Sequence, residues 1–313
     1  LLAFSLLIGC DGEESNTAPS ERSPKEAASE TKPPEAVSVN PNLKYKIEGD
    51  AVTITGCDKK ALGDLIIPAK IEGKPVTSMG NSAFQSSTKL TNITIPDSVI
   101  SIGINAFKNC RSLTSITIGN GVTSYGAFAF FGCASLTMIE VGAGNVTYTD
   151  VNGVLFNKEK TDLHTYPAGK TGDNYVIPDS VTTIGGSAFY ECTSLTSITI
   201  PDSVTSIGYG AFRDCTSITS ITIPDSVNSI GGGAFADCTS LTSITIGDSV
   251  TSIGRFAFLA CSSLTAVTFL GDASKIEDNA FEESSPTIYR KPDAKGWGDT
   301  LAGRPVKVIT EKH

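Results

Sequence analysis

Cysteine recurs at a fixed interval of 23 residues in two runs, and thiols in such rows could form disulfides or bind zinc. The first run is Cys110 and Cys133, and the second is Cys192, Cys215, Cys238 and Cys261. If repeats of this length stack, the side chains of a run point the same way, which is poor geometry for a disulfide. Zinc sites need Cys-x-x-Cys or Cys/His spacing, which the sequence lacks. We therefore predict buried free thiols and no metal site, while Cys57 lies outside both runs without an evident partner.

Aspartate forms another row, and stacked carboxylates are suitable ligands for calcium. Pro201-Asp202 and its counterparts, however, have the composition of turns, in which an Asp side chain accepts hydrogen bonds from nearby backbone N–H groups. This position favours turn capping over calcium binding. The row consists of Asp97, Asp179, Asp202, Asp225 and Asp248.

Serine and threonine alternate at the outward positions of a predicted strand in four of the repeat copies. A regular array of hydroxyl groups could bind carbohydrate or order water. Threonine also suits a solvated strand face without any ligand, and residue preferences favour that alternative. The array varies mainly at Met138 and Glu140, and Tyr148 follows them. The candidate ligand-binding residues are therefore Ser115, Thr117, Met138, Glu140, Tyr148, Ser197, Thr199, Ser220, Thr222, Ser243 and Thr245.

Apolar residues also occupy several variable positions of the repeat, where a solvated edge needs none. If these side chains are exposed together, they form a candidate interaction patch. They could equally pack between turns, and the sequence leaves both alternatives open. The positions are Phe128, Phe131, Tyr190, Tyr209, Phe256 and Leu259.

Catalysis finds little support in the residues present. The chain has two histidines, His164 and His313, and no Gly-rich phosphate loop or nucleophile–His pair. Its carboxylates are turn residues, and nothing places two of them for acid–base chemistry. We predict that the chain is not an enzyme and needs no cofactor. A net charge of −9 also argues against nucleic acid as a partner, because nucleic-acid binding needs a basic surface.

All of these rows are positioned by one 23-residue unit. An Ala-Phe pair marks it at Phe84, Phe107, Phe130, Phe189, Phe212, Phe235, Phe258 and Phe281. A fixed period of this length predicts a solenoid of stacked units. Within a unit, Leu-x-x-Ile-x-Ile predicts a strand, Pro-Asp a turn, Val-x-x-Ile a second short segment, and Ala-Phe an inward-facing short helical or 3₁₀ turn. A repeated glycine, Gly208 in one unit, implies either positive φ or close approach between turns.

The interval from Phe130 to Phe189 is 59 residues, an excess of 36 over one repeat. Within it, Asn152-Gly153 between two short β-prone segments is a strong hairpin signal. We predict a three-stranded β-meander over residues 142–178. It is either an enlarged structural repeat or a ledge beside the sheet that makes the face non-uniform, and both interpretations remain open.

The complete pattern, L-x-x-I-x-I, turn, V-x-x-I-G-x-x-A-F-x-x-C, resembles the BspA-type leucine-rich repeat family of bacterial and protist surface proteins. The resemblance covers residues 43–311. It implies a right-handed, mainly β leucine-rich-repeat solenoid with a parallel β-sheet on one face and short β or 3₁₀ segments on the other. It also implies extracytoplasmic binding and no catalysis. The pattern departs from the general leucine-rich consensus at Ser203, which replaces an Asn, and at the Cys that closes the unit.

The first residues predict export. The apolar run at residues 1–9 is too short to span a bilayer and indicates the remnant of a secretory signal. Leu7-Ile8-Gly9-Cys10 resembles a bacterial lipobox, which implies lipidation of Cys10. Residues 10–41 contain almost no large apolar side chains and predict a disordered tether.

The repeat domain, 42–311, divides into five predicted parts. These are an N-cap at 42–80, repeats at 81–141, the meander at 142–178, repeats at 179–270 and a C-cap at 271–311.

These features predict a non-catalytic binding scaffold that is lipid-anchored at the bacterial cell envelope, on the extracytoplasmic side. Its partner would be a protein or a polysaccharide, and it would touch the membrane only through the lipid. The alternative is a structural envelope component that associates with itself, because the repeats are nearly identical.

Overall fold

The computed structural model describes residues 40–310. The predictions for residues 1–9, for Cys10 and for residues 10–39 lie outside this range. Within it, the chain forms β-strands connected by turns, and no helix occurs. None of these residues therefore belongs to a helix that could span a bilayer.

A long and a short strand alternate from β6 to β10 and again from β14 onward. In the most regular long strands every second residue is an apolar residue of the core, as Ile116 and Ile118 are in β8. The strands before the meander are β1 (Leu43–Glu48), β2 (Ala51–Cys57), β3 (Gly63–Ile66), β4 (Lys70–Ile71), β5 (Lys74–Met79), β6 (Leu90–Thr94), β7 (Ser101–Ile102), β8 (Ser115–Ile118), β9 (Ser124–Tyr125) and β10 (Met138–Val141).

Three strands follow in the 36-residue excess: β11 (Tyr148–Val151), β12 (Val154–Asn157) and β13 (Asp162–Thr165). β11 pairs antiparallel with β12, and β12 pairs antiparallel with β13. Asn152 and Gly153 join the first two strands with φ values of 51° and 79°. Two successive left-handed residues are the requirement of a type I′ hairpin turn, which explains the Asn-Gly sequence.

The remaining strands repeat the alternation to the C-terminal end. They are β14 (Asn174–Val176), β15 (Thr183–Ile184), β16 (Ser197–Thr199), β17 (Ser206–Ile207), β18 (Ser220–Ile223), β19 (Ser229–Ile230), β20 (Ser243–Ile246), β21 (Ser252–Ile253), β22 (Ala266–Phe269), β23 (Lys275–Ile276), β24 (Thr287–Arg290), β25 (Thr300–Leu301) and β26 (Arg304–Val308). Antiparallel pairs occur at the two ends, where β1 pairs with β2, β4 with β5, and β25 with β26.

Strands of successive turns pair in parallel on two sides of the coil. The long strands form the sheets β3–β6–β8–β10, β14–β16 and β18–β20–β22–β24–β26. The short strands continue from longer strands at their N-terminal edges and form β2–β5–β7–β9 and β13–β15–β17–β19–β21–β23. The register is one repeat, so that Ser220 pairs with Ser243 and Ile221 with Ile244. The predicted mainly-β solenoid, with a parallel sheet on one face and short strands on the other, is confirmed.

The Ala-Phe segment, which we call the turn segment, is a chain of overlapping β-turns. Ala211 and Cys215 donate their N–H groups to the carbonyls three residues earlier, as in the 3₁₀ turn expected there. Gly210 and Asp214 have φ near 60°, so left-handed residues prevent a continuous helix. Phe212 N–H donates to Ala234 O of the next turn at 2.7 Å, which links the segments of successive repeats.

Stacked phenylalanine rings form the centre of the core. Neighbouring rings lie between 5.0 and 5.7 Å apart, from Phe84 to Phe130 and from Phe189 to Phe281. Tyr166 stacks on Phe189 at 5.3 Å and so supplies the ring of the turn that the meander completes. Among the described rings the row is interrupted between Phe130 and Tyr166, and the apolar core divides into two clusters there. We call this junction the seam.

Close approach explains the repeated glycine. Gly208 and Gly231 do not have positive φ. A Cβ on Gly231 would lie 2.6 Å from the carbonyl carbon of Gly208. Of the two alternatives that the sequence left open, the close approach of adjacent turns is the one that the structure adopts.

Candidate functional site

The predicted Ser and Thr side chains lie on the solvent side of the long-strand sheets. Thr222 pairs with Thr245, for example, while Ile221 and Ile244 beside them are buried. Because the strands are in register, the hydroxyl groups of successive turns form rows with the strand spacing of about 4.8 Å. We call this surface the hydroxyl face and define it as Ser115, Thr117, Ser197, Thr199, Ser220, Thr222, Ser243 and Thr245.

Met138 and Glu140 lie at the end of the N-terminal part of this face. Both are exposed, and Thr117 Oγ1 donates to Glu140 Oε2 at 3.3 Å. The turn of the meander hairpin contacts this strand, since Ile139 N–H donates to Gly153 O at 3.0 Å. The meander therefore lies directly beside the two residues at which the array varies.

A break interrupts the hydroxyl face between β16 and β18, which do not pair. In the following turns, Thr242 N–H donates to Thr219 O at 2.8 Å and Thr265 N–H donates to Thr242 O at 2.9 Å. The equivalent bond from Thr219 N–H to Thr196 O does not occur in the described part of the chain. Both strand edges thus keep backbone groups that the neighbouring turn does not satisfy.

A groove of about 580 Å³ lies at this break. It falls in the size range of ligand sites, about 300–1,000 Å³. Four of the predicted hydroxyl residues line it together with two of the row of aspartates, namely Ser197, Thr199, Ser220, Thr222, Asp202 and Asp225. Ser243 and Thr245 continue the same face, whereas Ser115, Thr117, Met138 and Glu140 belong to the separate sheet β3–β6–β8–β10.

The prediction of Tyr148 as a ligand-binding residue needs correction. Its side chain is only 8% exposed, and its ring lies 5.4 Å from that of Tyr125 and 5.6 Å from that of His164. The reason is topological, because β11 joins the short-strand sheet through β12 and β13 rather than the hydroxyl face. Tyr148 is a core residue of the seam.

The cysteine rows are buried free thiols within the described residues. Cys215 Sγ donates to Phe189 O at 3.0 Å, and Cys238 Sγ donates to Phe212 O at 3.1 Å. Burial raises the pKa of Cys261 to about 12, so this thiol stays protonated. Ser284 takes the same place in the last turn and donates to Phe258 O. The row acts as a set of buried hydrogen-bond donors to the preceding turn.

Two residues of the aspartate row cap turns by accepting backbone hydrogen bonds. Asp225 Oδ1 accepts from Asp248 N–H at 2.9 Å, and Asp97 Oδ1 accepts from Asn120 N–H at 2.7 Å. Each of these bonds joins one turn to the next. In residues 40–310, no three His, Cys, Asp or Glu side chains are grouped as metal ligands.

The variable apolar residues form a second candidate surface, at the seam. Phe131 stacks on Tyr190 at 3.6 Å, and Phe128 lies edge-on to Phe131 at 5.7 Å. A pocket of about 190 Å³ opens beside them, and we call it the aromatic cleft, lined by Lys108, Phe128, Phe131, Ser187, Tyr209, Gly210 and Arg213. A smaller cavity of about 90 Å³ lies behind Phe128 and Phe131 and is lined also by Tyr125, His164, Tyr166 and Tyr190.

Exposure of these apolar residues is mixed, so neither sequence alternative holds for all of them. Phe128, Tyr209 and Phe256 are 41%, 59% and 38% exposed, whereas Phe131 and Tyr190 are half-buried.

Sequence reasoning missed Tyr166 and His164 as residues that line the smaller cavity. Tyr166 carried a signal, because it precedes Phe189 by one repeat of 23 residues. His164 carried none.

Two cations lie at the aromatic cleft. Lys108 Nζ lies 5.1 Å from the centroid of the Phe131 ring, within cation–π distance. Arg213 Nη2 lies 3.0 Å from Asp237, and its Nε lies 3.5 Å from Asp214. Burial, followed by the Asp237 charge, raises the pKa of Asp214, and the Arg213 charge opposes this rise.

The chain matches the family model described as BspA type leucine rich repeat region, in six copies over residues 71–163 and 168–287. These ranges cover more than half of the chain and include the meander strands β11 and β12. No curated protein sequence matches the chain significantly.

Solved structures of bacterial leucine-rich repeat proteins have a similar fold. A leucine-rich repeat protein from Eubacterium ventriosum is 25% identical, with a TM-score of 0.59, and the alignment covers 80% of this chain and 84% of that one. A leucine rich cell surface protein from Faecalibacterium prausnitzii is 23% identical, with a TM-score of 0.52 and coverage of 80% and 93%. The pneumococcal vaccine antigen PcpA is 18% identical, with a TM-score of 0.50 and coverage of 87% and 98%.

Proposed function

Because this chain belongs to the BspA-type leucine-rich repeat family, we propose that it is a non-catalytic binding scaffold held outside the cytoplasm at the bacterial cell envelope. One of its structural neighbours is described as a cell surface protein and another as a vaccine antigen, which supports extracytoplasmic display. The lipobox-like residues 7–10 support anchoring through a lipid on Cys10.

The groove in the hydroxyl face is the observation that carries the proposed binding role. It combines side-chain hydroxyls, which both donate and accept hydrogen bonds, with backbone groups that the neighbouring strand does not satisfy. Backbone groups that lose water when a ligand binds need a new hydrogen-bond partner, so an occupant rich in donors and acceptors suits this groove. A polysaccharide has this property along its whole length.

The composition of the groove favours a polysaccharide over a protein as the occupant. Protein-binding hot spots are enriched in Trp, Tyr and Arg, whereas Ser and Thr are under-represented in them. The groove contains none of the three and presents four hydroxyl side chains. Its charged residues are Asp202 and Asp225, both exposed, so neutral or cationic sugars fit better than acidic ones.

Binding of the full chain to neutral envelope polysaccharides tests this proposal. The double substitution Thr199→Val with Thr222→Val removes two groove hydroxyls and keeps the side-chain shape. Thr268→Val is the matched control, since Thr268 lies on the same sheet outside the groove. We expect the double variant to lose on the order of tenfold in affinity and the control to lose none.

Three other outcomes would contradict the proposal or part of it. Equal loss in both variants would mean that the groove is not the site. A cross-linked protein partner whose capture depends on the same threonines would replace the polysaccharide. Capture of further copies of the chain alone, with no polysaccharide bound, would favour the self-associating envelope component instead.

The anchor is tested separately by metabolic labelling with a radioactive fatty acid. We expect label in the natural chain and none in Cys10→Ser, which should also leave the membrane fraction. A labelled Cys10→Ser variant would exclude this cysteine as the lipid attachment site without bearing on the groove.

A further inference from the structure

Phe128 occupies a position that is unfavourable for it in two respects. Its φ is 58°, in the left-handed region, where a bulky residue is a conformational outlier. The residue is also 41% exposed, so burial compensates for the backbone strain only in part. Other turns place small or polar residues at this left-handed position, namely Ser82, Asn105, Ser187, Gly210 and Gly233, and only Phe256 repeats the aromatic choice. Strain that folding does not need is characteristic of functional sites.

The ring of Phe128 forms one wall of the aromatic cleft. Phe131 lies edge-on to it at 5.7 Å, and Tyr209, which is more than half exposed, lines the same pocket. Phe131 is held in place from behind by stacking on Tyr190 at 3.6 Å. The cleft therefore offers exposed aromatic surface on a support that the seam makes rigid.

A cation completes the cleft. Lys108 has no carboxylate within 4 Å in residues 40–310, and its Nζ lies 5.1 Å from the centroid of the Phe131 ring. Arg213 lies between two carboxylates, with Nη2 3.0 Å from Asp237 and Nε 3.5 Å from Asp214, which orient the guanidinium and offset its charge. An occupant with a carboxylate complements Lys108, because charged hydrogen bonds of this kind are the strong ones.

Size narrows the class of occupant further. At about 190 Å³, the cleft is smaller than the roughly 300–1,000 Å³ of sites for drug-sized molecules, so it suits one ring rather than a nucleotide. The face of a sugar ring that carries C–H groups is apolar and can lie flat on Phe128 or Tyr209. We propose that the aromatic cleft binds an acidic sugar, a single six-membered ring that carries a carboxylate, with the carboxylate against Lys108.

This site is independent of the groove in the hydroxyl face. The cleft is built from turn segments, whereas the groove lies between long strands. The two surfaces also differ in charge, because the groove presents Asp202 and Asp225 and the cleft presents Lys108. Failure of either site to bind therefore leaves the other proposal standing.

Calorimetric titration with oligogalacturonate tests the proposal, and the carboxyl-reduced oligosaccharide is the neutral comparison. The full chain used for it carries Thr199→Val and Thr222→Val, so that binding of neutral sugar in the groove does not contribute. We expect the acidic oligosaccharide to bind on the order of tenfold or more tightly than the reduced one. Phe128→Asn copies the residue of the preceding turn, Asn105, and relieves the left-handed strain. We expect this variant to unfold at an equal or higher denaturant concentration and to lose at least about tenfold in affinity.

Phe256→Asn is the matched control, since Phe256 has the same left-handed φ and similar exposure but does not line the cleft. We expect it to bind as the chain with Thr199→Val and Thr222→Val alone does. Lys108→Gln should abolish the preference for the acidic over the reduced oligosaccharide. The proposal is overturned if the acidic oligosaccharide does not bind, if the reduced form binds equally well, or if Phe128→Asn binds normally.

Discussion

Replacing Phe212 by alanine measures how much one ring of the stacked row contributes to the solenoid. Phe212 is fully buried, with Phe189 and Phe235 at 5.0 and 5.1 Å on its two sides. Core substitutions of this type cost about 3–5 kcal/mol, because transfer free energy is lost and a cavity remains. Each stacked pair adds about 0.5–1.5 kcal/mol beyond burial. We expect the free energy of unfolding to fall by about 4–5 kcal/mol in urea denaturation followed by circular dichroism.

Two comparison variants separate stacking from general destabilisation. Phe84→Ala removes an equally buried ring that stacks on Phe107 alone. The loss in free energy of unfolding should therefore be smaller than for Phe212→Ala by the contribution of one stacked pair, roughly 1 kcal/mol. Tyr209→Ala removes an exposed ring and should change stability by no more than about 0.5 kcal/mol. A loss below about 1 kcal/mol for Phe212→Ala would refute the stacked core, since burial alone predicts more.

Further predictions concern backbone contact and titration. Gly231→Ala should lower the free energy of unfolding by about 1–3 kcal/mol in urea, because its Cβ would meet the backbone of Gly208, whereas Gly298→Ala, with no neighbour closer than 3.7 Å, should be neutral. The pKa of Cys261 is raised to about 12, so above the ordinary thiol value of about 8.5 only the unfolded chain loses this proton. The free energy of unfolding, measured by urea denaturation, should therefore fall as the pH rises from 8 to 10. The fall should be less steep in the Cys261→Ala variant. Burial lowers the pKa of His164, so below the ordinary value of about 6.5 the unfolded chain binds the proton first. Stability should fall as the pH drops to 5, and an NMR titration that shows an ordinary His164 pKa would contradict this.

The repeat could be predicted because its contacts have one sequence separation. A residue of one turn pairs with its counterpart 23 residues later, as Ser220 does with Ser243, so the period states the register directly. The buried rows follow in the same way, since residues in equivalent positions share one environment. Tyr166 was within reach of this reasoning, because it also precedes Phe189 by 23 residues and occupies the same row.

The break between β16 and β18 could not be predicted. The strands on its two sides read SLTSITIPDSV and SITSITIPDSV, and the next unit, SLTSITIGDSV, pairs normally with the second. Nothing in these residues explains why one junction opens and the other does not. The exposure of Thr199 and Thr222 was predictable from alternation, but the groove between them was not.

The sequence by itself determined the solenoid, its register and its buried rows of Phe and Cys, because these depend only on neighbouring copies of one unit. The tertiary structure alone decided that Tyr148 is buried and that Phe131 stacks on Tyr190, 59 residues away. The physical reason is that the meander is not periodic. Its path through space depends on how its own side chains pack at the seam, and that path sets which rings meet and which remain exposed.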